Sequence, residues 1–151
     1  MKLNTMAAVM SFVSRIEDES ASFYEQCAAR YPEMKDTLLS WSKENRKFEK
    51  NVKRTYFGVI TDTLESNFAF EGLDTDNYVF ETEVPADASQ VIEKAHEIEA
   101  KIKAFYLKAA ELSESSKIRA LLLRESNEIA REKGPFFRHA NFFVKHGAQR
   151  H

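Results

Sequence analysis

Two glutamates stand where a charge is hard to keep. Glu17 is spaced by seven from both Met10 and Tyr24, and Glu99 is spaced by seven from both Ile92 and Tyr106. Seven residues bring a helix back to the same face, so both carboxylates border an apolar stripe, where an uncompensated charge is costly. Each therefore needs a metal ion, a cationic partner or a proton. Tyr24 and Tyr106 share those faces; such phenols serve as redox-active groups beside a metal, or more commonly fill a core with the hydroxyl bonded. His96, one turn before Glu99, closes the only literal Glu-x-x-His in the chain, Glu93-Lys94-Ala95-His96. Cys27 falls on a core stripe with no His–Asp partner in view, which reads as packing and not as a nucleophile. Asp74-Thr75-Asp76-Asn77 lacks the Gly and the distal Glu of an EF-hand loop, so it reads as a solvated turn.

Long helices must position these residues. Val9, Val13, Ile16, Ser20, Phe23 and Cys27 follow steps of three and four, which predicts a helix from Thr5 to Arg30, ended by Tyr31-Pro32. A second helix is expected from Pro32 to Tyr56, with Met34, Leu38, Trp41, Phe48 and Val52 inward and Gly58 closing it. The chain from Thr55 to Glu93 then carries no Lys or Arg but many Asp and Glu. A short helix fits 61–67, and Tyr78 to Val84 reads as extended chain. A loop of this length needs a reason. A helix of about 25 residues is roughly 37 Å long, and extended chain covers that in about a dozen residues, so a crossover along the molecule suffices. Ala88-Ser89 resembles an N-cap for a third helix reaching Ser113, with Val91, Ala95, Ile98, Ile102, Phe105, Ala109 and Leu112 inward. A fourth starts near Ser115, carries Ile118, Leu121, Leu122 and Ile129, and meets Gly134-Pro135.

The two pairs of helices are copies of one another. When Val9 is laid on Val91, Ile16 meets Ile98, Glu17 meets Glu99, Phe23 meets Phe105, Tyr24 meets Tyr106 and Ala28 meets Ala110. With one residue lost between the helices, Trp41 meets Leu122, Glu44 meets Glu125, Asn45 meets Ser126 and Phe48 meets Ile129. The expected organisation is a single domain over 1–151: a helical hairpin at 5–57, an acidic crossover at 58–87, a second hairpin at 88–134 and an aromatic segment at 135–151. Two antiparallel hairpins joined by one long crossover give an all-α four-helix bundle of ferritin-like topology, with the third helix parallel to the second. A pseudo-two-fold axis would relate Glu17 to Glu99.

Glu17-x-x-Ser20-x-x-Phe23-Tyr24 and Glu99-x-x-Ile102-x-x-Phe105-Tyr106 resemble the Glu-x-x-Ala-x-x-Phe-Tyr segments of rubrerythrin-like members of the ferritin-like superfamily, over residues 6–52 and 88–133. The resemblance implies a di-iron or di-manganese site used in peroxide reduction or iron oxidation. The chain departs from it in the second half of each motif. Where the family resembles Leu-Ala-x-Glu-Glu-x-x-His, this sequence has Glu44-Asn45 and Phe48, then Glu125-Ser126 and Ile129. Asn45 and Ser126 take the bridging-ligand places and two apolar residues take the His places. A Glu-rich site remains conceivable from Glu17, Glu44, Glu99, Glu125 and Glu128 with His96, a set suited to iron or manganese. It needs a turn of about 100° to bring Glu44 and Glu125 inward. In the opposing reading the metals are lost, and Glu17 and Glu99 are neutralised by Arg46, Lys47, Arg124 or Arg131, or hold raised pKa values. A rubredoxin-like four-cysteine module is excluded by the single cysteine.

Composition bounds the rest. The chain has 151 residues, 43% hydrophobic and 30% charged, with 4 Gly, 3 Pro and a formal net charge of −2. That suits a soluble helical domain and gives no global field for nucleic acid or an anionic membrane. One cysteine and an apolar stretch, Met6–Val13, too short to span a bilayer lead to the expectation of a cytoplasmic location. Lys43, Arg46, Lys47, Lys50, Lys53 and Arg54 read as a solvated helix face, opposite the acidic crossover, and not as a nucleic-acid site. The segment Pro135–His146, with four Phe, suits packing on the bundle end or against a second subunit, so a homodimer is expected. His139, His146 and His151 are expected in solvent. The electron donor of any redox reaction is not written in the sequence.

Overall fold

Thr5 opens the first helix by side-chain capping: its Oγ1 accepts from the Ala8 amide at 3.1 Å. Helix α1 then spans Met6–Arg30 and stops at Tyr31, whose amide donates to the Cys27 carbonyl. Pro32 opens a single 3-10 turn, Pro32–Met34, and α2 follows from Lys35 to Thr63. The computed structural model describes residues 1–3, 5–63, 73–112, 120 and 123, with the side chains of Met6 and of residues 55–63 left aside. Helix α3 spans Ala88–Leu112. The described residues are thus helical, with one isolated bridge, Lys2 to Asp74, and no strand among them. No helix of the described residues is long and apolar enough to cross a membrane. Of the expected fourth helix only Ala120 and Leu123 are described, both helical, and the segment after Gly134 lies outside the described residues.

Two boundaries differ from expectation. Gly58 does not close α2, which continues to Thr63. A glycine inside a helix costs only about 1 kcal/mol relative to alanine, and no proline follows to enforce a stop. At the start of α3 the cap is Asp87 and not Ala88-Ser89: Asp87 Oδ1 accepts from the Ser89 amide at 3.2 Å. A carboxylate there also meets the positive end of the helix.

The helices are antiparallel to α1 on both sides. Ser42 of α2 meets Glu25 of α1, while Asn45 and Arg46, further along α2, meet Glu17 and Asp18, further back on α1. On the other side Glu99 meets Tyr24 and Tyr106 meets Glu17, so α3 also runs against α1 and therefore parallel to α2. The core holds Val9, Val13, Phe23, Leu38, Trp41, Val91, Ile98, Ile102 and Phe105, all fully buried. Phe12 packs on Phe105 at 4.8 Å between ring centroids, joining α1 to α3.

The chain returning to α3 is anchored along its length. Asp74 caps the 3-10 turn Thr75–Asn77, which takes the place of the expected solvated turn. Its flank pairs with the first residues of the chain: the Leu3 amide donates to the Leu73 carbonyl at 2.8 Å and the Thr75 amide to the Met1 carbonyl at 2.9 Å. Leu3 and Leu73 are both fully buried. Residues 79–85 form neither helix nor strand. Tyr78 sets its ring edge against Phe105 at 5.4 Å, and Phe80 and Val84 pack on the core. Lys101 Nζ donates to the Asn77 carbonyl and Lys94 lies 3.7 Å from Glu81, so this strap descends α3 toward its N-terminus. The Tyr31 hydroxyl, which donates to the Pro85 carbonyl, ties it to the α1–α2 turn.

Candidate functional site

The chemistry-bearing residues of α1 and α3 meet in pairs that exchange helices. Tyr24 and Glu17 lie two turns apart on α1, about 10 Å along the axis, too far for a direct bond on one helix. Each instead bonds to the other's counterpart. The Tyr24 hydroxyl donates to Glu99 Oε1 at 2.9 Å, and the Tyr106 hydroxyl donates to Glu17 Oε1 at 3.2 Å. The sequence repeat that relates Glu17 to Glu99 and Tyr24 to Tyr106 exchanges one of these bonds for the other.

Two further donors complete the described network. Asn45 Nδ2 of α2 donates to Glu17 Oε2 at 2.7 Å, so both oxygens of Glu17 accept. Ser20 Oγ donates to Glu99 Oε1 at 3.4 Å. Ser20 has no polar counterpart, since the repeat places Ile102 there. All of these groups are buried: Glu17, Ser20, Asn45, Tyr24 and Tyr106 are wholly inaccessible and Glu99 is 4% exposed. Burial in the core, then the negative charge and hydrogen bond of Glu99, hold the Tyr24 phenol well above its ordinary range. Tyr24 therefore stays protonated and acts as a donor at any physiological pH.

Of the residues singled out for metal, the structure gathers Glu17 and Glu99 around one core network. Glu44 is half-buried beside Asn45 on α2, and its Oε2, like Asn45 Oδ1, is a buried acceptor without a hydrogen-bond partner among the described residues. His96, one turn from Glu99 on α3, is exposed. Glu125 and Glu128 lie outside the described residues, as do Arg124 and Arg131. Phe48, in the place of a His ligand, is buried in the core at 1% exposure. No group of three or more His, Cys, Asp or Glu side chains placed to hold a metal occurs among the described residues. The donor set fits a metal poorly for a chemical reason as well. Glu17 faces an amide N–H and a phenol O–H, which present hydrogens where a cation would sit.

Two of the cations named as neutralising partners, Arg46 and Lys47, are among the described residues. Arg46 reaches outward to Glu25 at 2.8 Å and Asp18 at 3.0 Å, and Lys47 is exposed. The hydrogen bond from Ser42, then the Arg46 guanidinium, draws the Glu25 carboxyl below its ordinary value, and Glu25 in turn raises Arg46. Cys27 is buried, and loss of water pushes its thiol to about 11, as an inert core residue requires. Sequence reasoning placed Ser20 on the inner stripe and Asn45 at a ligand position without assigning them as donors to the carboxylates. The signal was present in both: a polar residue on a core stripe needs a partner.

No protein-family model, no curated protein and no solved structure matches this chain.

Proposed function

We propose that this chain is a rubrerythrin-like, ferritin-like four-helix bundle whose di-metal site is altered or lost, and which acts through its surface and not through redox chemistry. The exchange of Tyr24–Glu99 for Tyr106–Glu17 across one axis carries this reading. That arrangement is what a duplicated hairpin with antiparallel α1 and α3 produces, and a fourth helix from about Ser115 would complete the bundle against α2 and α3. At the centre of such a bundle a metal centre needs carboxylate oxygens open to the ions. Here phenol and amide donors meet both oxygens of Glu17, phenol and hydroxyl donors meet one oxygen of Glu99, and Phe48 fills a ligand position with hydrocarbon. The network satisfies polar groups that would otherwise be expensive to bury, so the retained Glu and Tyr have a structural use without metal.

A second reading is favoured by one observation: Glu44 Oε2 and Asn45 Oδ1 are buried acceptors without a hydrogen-bond partner among the described residues, beside Glu17. A di-iron or di-manganese oxidoreductase would draw Glu17, Glu44 and Glu99 together with Glu125, Glu128 and His96. Elemental analysis of protein purified after growth with iron and manganese separates the readings. The proposal expects no stoichiometric metal in a fully folded protein. Close to two metal ions per chain, lost in a folded Glu17→Ala/Glu99→Ala variant, would overturn it.

A further inference from the structure

Outside the buried network two grooves of the described surface carry opposite charge. Lys43, Lys50 and Arg54 are exposed on α2 at spacings of seven and four, which is one helical face. With Arg46, Lys47 and Asn51 they line a groove of about 410 Å³ that contains no carboxylate from the described residues. The second groove, of about 400 Å³, lies between the strap and the N-terminal half of α3 and is lined by Glu81, Glu83, Glu93 and Glu97 with Lys94. Lys94 lies against Glu81, whereas Glu83, Glu93 and Glu97 have no basic partner among the described residues. Lys43, Lys50 and Arg54 likewise have no acidic partner there.

We propose that the basic α2 face of one copy docks on the acidic strap–α3 face of a second copy, so that the chain associates with itself through charge. Each face offers to the other the charge that it lacks. This surface does not depend on whether the core holds metal. The alternative occupant, a polyanion such as nucleic acid, suits the groove less well. The one aromatic residue within the basic run, Phe48, is buried, so no ring is offered for base stacking.

Charge-driven docking of exposed groups must be weak and salt-dependent, because screening shortens from about 20 Å near 20 mM salt to about 4 Å near 0.5 M. The test is sedimentation velocity on the full chain at both salt concentrations, with helical content followed by circular dichroism. The wild type should associate at low salt and separate at high salt. Lys43→Glu/Lys50→Glu/Arg54→Glu and Glu83→Lys/Glu93→Lys/Glu97→Lys should each weaken self-association at least about tenfold. Mixed in equal amounts, the two folded variants regain complementary grooves and should associate with one another. A wild type monomeric at low salt, association that persists at high salt, or a mixture that stays monomeric would each overturn the proposal. So would binding of heparin or duplex DNA through Lys43, Lys50 and Arg54 by a chain that does not self-associate.

Discussion

Replacing Tyr24 by Phe removes one oxygen from a fully buried position and leaves the ring in place. The lost bond is the 2.9 Å donation to Glu99 Oε1, and Ser20 remains as a donor to that same oxygen only at 3.4 Å. A hydrogen bond to a charged group contributes about 1.5–3 kcal/mol net, and a buried acceptor left short of donors keeps its desolvation cost. The expected loss is therefore about 2 kcal/mol, or roughly 4–8 °C in melting temperature for a chain of this size. The same logic gives Tyr106→Phe a smaller effect, since its bond is longer at 3.2 Å and Asn45 still holds Glu17. The decisive measurement is a pair of double-mutant cycles by urea unfolding, combining Tyr24→Phe with Glu99→Gln and then with Glu17→Gln. Coupling of about 1 kcal/mol or more is expected in the first cycle and much less in the second. A Tyr24→Phe variant within about 0.5 kcal/mol of wild type, or stronger coupling to Glu17 on its own helix, would refute the crossed arrangement.

Two further outcomes follow from the same contacts. Asn45→Asp replaces the 2.7 Å amide donor to Glu17 with a second buried carboxyl, and like charges in a core raise the pKa of the pair. The variant should lose about 3 kcal/mol at pH 7 and recover part of it as pH falls and a proton is taken up, read from urea midpoints at pH 7 and pH 5; equal losses at both would sink the idea. For Glu25 the sign is opposite, because its folded pKa lies below the ordinary value of 4.5. Its contribution is present above that value and disappears as pH falls through the depressed one. Glu25→Gln should thus destabilise modestly at pH 7, since Glu25 is 43% exposed, and have no effect near pH 2. A penalty unchanged across that range would show that the carboxylate charge is not what Ser42 and Arg46 hold.

The sequence alone determined where α1 begins, where α1 gives way to α2, and which face of each described helix is buried. Periodicity does this because a helix has one geometry: steps of three and four from Val9 to Cys27 and from Val91 to Ala109 admit one inward face. The repeat also matched Glu17 to Glu99 and Tyr24 to Tyr106 as equivalent positions. Local signals failed where a neighbour competed. Gly58 looked like a stop but is carried inside α2, and Asp87 took the cap of α3 because its carboxylate, two residues before Ser89, accepts the free Ser89 amide. Tertiary structure alone decided which Tyr serves which Glu, since two turns of helix separate them within each copy and only antiparallel packing of α1 on α3 closes the distance. It alone paired residues 1–3 with Leu73 and Thr75, a contact between segments with no mark in either sequence. The buried carboxylates are legible as a need for compensation; that phenols, an amide and a hydroxyl supply part of it is a fact of packing, because several partners satisfy the same chemistry and only the approach of the helices chooses among them.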